Sequence, residues 1–70
     1  MYSLVGIDGN AFNIMGYVTY AMKRCQFEKS EIDKYLEKAT SGTYSQLIVL
    51  SLEYLDKCNE RAKKLYKNNV

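Results

Sequence analysis

Two groups of residues have types and spacings that can do chemistry: the turn Gly6-Ile7-Asp8-Gly9-Asn10-Ala11, and the row Asn13, Tyr17, Tyr20 and Arg24 just after it. A glycine-bearing turn that feeds a helix presents unpaired N–H groups at the positive end of the helix dipole, which is how anions and phosphates are held. Asp8 and Asn10 serve equally well as an Asx turn and a helix N-cap. At 100° per residue, the four members of the row fall within about 60° of one another and roughly 130° from the centre of the helix's apolar stripe. Tyrosines can stack on a base, an amide can read its edge and a guanidinium can pair with phosphate. The same residue types also make aromatic-rich subunit interfaces. The candidate ligand-binding residues are therefore Asp8, Gly9, Asn10, Asn13, Tyr17, Tyr20 and Arg24, with an interface as the alternative reading of the row.

Other chemistries find little support. The 70 residues contain no histidine, which removes Ser-His-Asp and Cys-His nucleophile systems and imidazole metal sites. Cys25 and Cys58 stand alone, without the partners of a four-ligand zinc site, and are expected as buried free thiols, with a disulfide between them as the alternative. Most acids lie among lysines on expected outer faces, and Asp8 has no partner base, so no enzyme, metal site or cofactor is expected. The net charge is only +2. The basic cluster Arg61, Lys63, Lys64 and Lys67 suits the negative end of a helix dipole better than it suits nucleic acid, which is not an expected partner.

Three helices must position these residues. From Ala11 to about Gln26, residues Ala11, Ile14, Met15, Val18, Ala21, Met22 and Cys25 keep the alternating three and four spacing of one buried stripe. Gly16 interrupts this helix, and a close approach by another element would offset its cost of about 1 kcal/mol. Ser30-Glu31-Ile32-Asp33 reads as a capping box opening a second helix over 31–41 that buries Ile32, Tyr35, Leu36 and Ala39 and stops at a left-handed Gly42. Thr43-Tyr44-Ser45-Gln46 is a second capping box, opening a third helix over 44–67. The expected stripe of that helix is Tyr44, Leu47, Ile48, Ser51, Leu52, Leu55, Cys58, Ala62, Leu65 and Tyr66, widened by Leu50 and Tyr54. Glu53 with Lys57 and Glu60 with Lys64 are expected i,i+4 pairs. The fold class is all-α, a small three-helix domain over residues 1–70 behind a short extended N-terminal segment.

The third helix, at about 36 Å, overhangs its neighbours of about 24 and 15 Å, and a chain this short has little core of its own. A homo-oligomer through helix 3 and one side of helix 1 is expected. No apolar run is long enough to span a membrane and the first residues do not read as a secretory signal, so a cytoplasmic location is expected.

The string Leu4-Val5-Gly6-Ile7-Asp8-Gly9-Asn10-Ala11-Phe12-Asn13-Ile14-Met15-Gly16, followed by Glu31-Ile32-Asp33 and Ser41-Gly42-x-Tyr44, resembles a group of short uncharacterised bacterial and phage proteins. The resemblance covers most of residues 4–55. In that group a Ser-Gly-Asp-Tyr turn stands near the middle; here Thr43 keeps an N-cap but removes the acid. The resemblance implies a phage or mobile-element setting, where small non-enzymatic proteins act by binding, as antagonists of host defence. They block a host protein or sequester a small anionic nucleotide. The residues by themselves leave a second reading open, a self-association module with no small ligand.

Overall fold

Two of the three helices begin where a side chain accepts from an unpaired N–H of the first turn. The computed structural model describes residues 1–67, with side chains through Leu65, so the expectation for Tyr66 lies outside the described residues. α1 spans Ala11–Arg24 and is capped by Asn10, whose side-chain oxygen accepts from the Phe12 N–H at 2.8 Å. It stops two residues short of the expected Gln26. Gln26 takes a left-handed φ of 64°, its N–H bonds the Lys23 carbonyl at 3.1 Å, and the Phe27 N–H bonds the Met22 carbonyl at 2.9 Å. That pair of bonds is a Schellman stop, here without the usual glycine.

α2 spans Lys29–Ser41. It begins earlier than the sequence suggests, because Glu28, not Ser30, is the capping residue and supplies no side-chain cap bond. The Glu28 carbonyl accepts from both Glu31 and Ile32. Asp33 pairs with exposed Lys29 at 3.8 Å instead of closing a capping box. Gly42 is extended rather than left-handed. Its bare Cα leaves room for Gln46, since an added Cβ would meet Gln46 Oε1 at 2.5 Å.

α3 spans Tyr44–Lys67. The second capping box is present in full: the Gln46 N–H donates to Thr43 Oγ1 at 3.2 Å, and the Thr43 N–H donates to Gln46 Oε1 at 2.8 Å. The buried stripe is rotated from the expected one. Leu47, Ser51, Tyr54, Leu55 and Cys58 are buried, whereas Tyr44 is 51% and Leu52 50% exposed. α3 packs against both α1 and α2, and α2 covers the Tyr54 side of the helix. Between them the Tyr35 hydroxyl and Ser51 Oγ share a buried hydrogen bond of 2.7 Å. Burial pushes the Tyr35 phenol above its ordinary pKa, and the Ser51 bond partly opposes this.

The core gathers Ile14, Met15, Val18, Ala21, Met22 and Cys25 of the α1 segment with Ile32, Tyr35 and Ala39 of α2 and the α3 stripe. Gly16 is a correction. It is exposed, and a Cβ added there would meet nothing within 4 Å. No element approaches it. The expected i,i+4 pairs of α3 also give way: Lys57 lies over the Tyr54 ring at 4.8 Å, and Glu60 pairs with Lys63 at 3.8 Å. Among the described residues no helix is long and apolar enough to cross a membrane.

Candidate functional site

The seven candidate residues divide between the two ends of α1. At its N-terminal end, Asp8 Oδ1 accepts from the Asn10 N–H at 2.9 Å while Asn10 caps the helix, so both side chains already take a turn N–H. The Gly9 carbonyl accepts from the Tyr44 hydroxyl at 2.6 Å, which pins the turn to the first turn of α3. Exposed Tyr44 thereby works as a tether rather than as core. Asn13 is exposed on the next turn.

Tyr17, Tyr20 and Arg24 do come together, and Tyr2 joins them. The Tyr2 and Tyr17 rings meet edge to face with centroids 6.4 Å apart; Tyr20 lies a further 6.4 Å along, and the Arg24 guanidinium sits 5.8 Å from the Tyr20 centroid. This ladder of ring contacts belongs to the N-terminal segment, which lies over α1 as a strap. The Tyr17 hydroxyl accepts from the Ser3 N–H at 3.2 Å. Asn59 of α3 grips the strap from the other side: its Oδ1 accepts from the Tyr2 N–H at 2.7 Å and its Nδ2 donates to the Tyr2 carbonyl at 2.9 Å. That two-point clamp copies the pairing a neighbouring strand would give. Burial raises the Tyr2 phenol pKa, opposed by the Arg24 guanidinium within its reach.

From the cap of α1 to its last residue is about 21 Å at 1.5 Å per residue. The seven residues therefore do not converge on one concavity. Two open grooves lie elsewhere. One, of about 510 Å³, runs between the end of α2 and the start of α3 over Lys38, Ser45, Val49, Leu50 and Glu53. A second, of about 560 Å³, lies between the strap and α3, with Leu4, Val5, Leu52 and Leu55 as its apolar lining and Glu53, Asp56 and Asn59 as its polar one. The ridge separating them carries Val49, 57% exposed, and Leu52, while Val5 on the strap is 90% exposed. Among the described residues, no cluster of three or more His, Cys, Asp or Glu side chains is placed to hold a metal ion.

Several working residues left no readable mark in the sequence. Asn59 is one polar residue among many on α3, and its partner lies 57 residues away. Arg61, grouped by sequence with a basic tail, instead donates to the Cys25 and Gln26 carbonyls at 3.5 and 3.3 Å and lies 3.9 Å above the Phe27 ring. It closes the end of α1 from outside, as a cation near a helix C-terminus should. Against known protein families, curated proteins and solved structures, the chain finds no match.

Proposed function

We propose that this protein is a non-enzymatic binding module that works by pairing with a second copy of itself through the outer face of α3. The observation that carries the reading is the exposed pair Val49 and Leu52 on α3, where Val49 lines one groove and Leu52 lines the other together with strap residue Val5, 90% exposed. Large aliphatic side chains clustered at a surface favour a partner.

A second copy suits these side chains, because a two-fold axis at Val49 and Leu52 sets two such helices antiparallel with Leu52 of each beside Val49 of the other, and every contact occurs twice. The Tyr17 side of α1 lies under the strap, which favours α3 as the surface used. In the phage or mobile-element setting that the sequence resembles, such a pair would be the form that meets a host protein.

Sedimentation equilibrium tests this directly. The expected result is a species of twice the 8.1 kDa chain mass at micromolar concentration. Leu52→Glu should shift it to monomer. The double variant Lys63→Glu/Lys64→Glu, on turns more than ten residues beyond Leu52, should leave the pairing intact. A monomer at every concentration up to the millimolar range overturns the reading.

A further inference from the structure

The two cysteines, 33 residues apart in sequence, meet where the end of α1 crosses α3. Cys25 is the C-cap residue of α1, and its thiol donates to the Cys58 carbonyl at 3.3 Å. The neighbouring Cys25 thiol is one of the causes that raise the Cys58 pKa. Both are free and buried, at 2% and 0% exposure. The strap lies beside them: Asn59, the residue after Cys58, holds the Tyr2 backbone at both its N–H and its carbonyl, and Arg24 and Cys25 both act on the pKa of the Tyr2 phenol. A cation stands on either side, Arg24 beside the tyrosine and Arg61 beside Cys58.

We propose that Cys25 and Cys58 are a latent disulfide, an oxidation site whose access is gated by the N-terminal strap. With the strap closed, burial and the neighbouring thiol push Cys58 up to about 12, so the nucleophilic thiolate is suppressed. Lifting Tyr2 lets water reach the pair while Arg61 stays anchored to the α1 carbonyls. Hydration removes the main cause of the raised pKa, and the cation then favours thiolate.

The co-reactant is a small-molecule disulfide. The Cys58 thiolate attacks one of its sulfurs and expels one thiolate, which takes up a proton. The Cys25 thiolate then attacks the Cys58 sulfur of the mixed disulfide and expels the second. Two electrons pass from the protein thiols to the reagent, whose S–S bond becomes two thiols as the protein S–S bond forms. The cross-link joins the end of α1 to α3. It closes a long loop, and the unfolded chain loses most entropy in such cases. This inference does not depend on α3 pairing, because both sulfurs lie on the inner side of that helix.

The test uses the full chain with oxidised glutathione, followed by alkylation in denaturant and intact mass. The expected product carries neither glutathione nor alkyl group, is lighter by the two thiol hydrogens, and melts on the order of 10 °C higher than the reduced chain. Asn59→Ala should speed its formation about tenfold or more. Tyr2→Phe, which keeps the clamp and removes only the hydroxyl, should speed it less. Cys58→Ser should give no rise in melting temperature. Three results would overturn the proposal: a stable mixed disulfide or covalent dimer as the main product, both thiols surviving conditions that oxidise the denatured chain, or no acceleration in either strap variant.

Discussion

The strap side of α1 and the outer face of α3 are both rows of large side chains on a helix surface, yet the molecule treats them oppositely. Tyr17 takes ring and hydroxyl contacts from the strap, which Asn59 holds, and Tyr20, 52% exposed, and Arg24 continue the row along the surface by ring contacts. Val49 and Leu52 lie open between two grooves. The difference is chemical. Phenols, amides and guanidinium groups offer directed bonds that a passing extended segment can satisfy at low entropic cost. An aliphatic ridge offers only area, which needs a complementary surface. A row of polar aromatics is thus a poor guide to a vacant site when an unassigned tail of the same chain can reach it.

Alkali acts first on the strap side, through Cys58. The native chain holds the Cys58 proton from its ordinary 9.0 up to about 12, whereas the unfolded chain releases it near 9.0. The native state then binds more protons than the unfolded state throughout that interval, so stability falls as pH rises through it and is unaffected by this group below it. The raised phenols of Tyr2, Tyr35 and Tyr54 extend the loss above their ordinary 10.0. Denaturant titrations at stepped pH should show the fold lost before pH 12, and Cys58→Ala should move the onset from near 9 toward the tyrosine range. An unchanged onset would deny the thiol its part on the strap side.

Asn59→Ala should have the next largest effect, about 2 kcal/mol by chemical denaturation, because it strands both the N–H and the carbonyl of half-buried Tyr2. Leu52→Glu, on the open face, should change the stability of the separated chain by no more than about 0.5 kcal/mol. Equal losses for the two would erase the distinction between the faces. On the uncovered part of α1, Gly16→Ala should stabilise by about 1 kcal/mol, since a Cβ there meets nothing within 4 Å. A loss on that substitution, read by thermal melting, would mean that a partner approaches Gly16 closely.

Much of the fold was legible because it rests on neighbours in sequence. The Asn10 cap, the Thr43/Gln46 box and the α1 stripe each involve residues a few positions apart, so their types and spacing carry the information. The stop at Gln26 was not legible, since a non-glycine residue at φ 64° has no local signal and is held by bonds closed around Phe27 and by Arg61 from α3. The rotation of α3 was hidden for a related reason. Its apolar arc is wide enough for several orientations, and the side on which α2 packs selects Tyr54 over Leu52. For the candidate site, sequence brought Tyr17, Tyr20 and Arg24 to one face correctly, because helical spacing alone does that. It did not foresee that Tyr2 would extend the row by packing on Tyr17.

By itself the sequence determined three helices, two of the caps, most of the core, and the absence of histidine chemistry, all consequences of residue type and of periods of three and four. Only the tertiary structure decided that the strap lies across α1, that Arg61 closes α1 instead of trailing as a basic tail, and that Cys25 meets Cys58. Each of those contacts joins residues 14 to 36 positions apart, and a chain can bring such distant groups together only after the helices between them have packed.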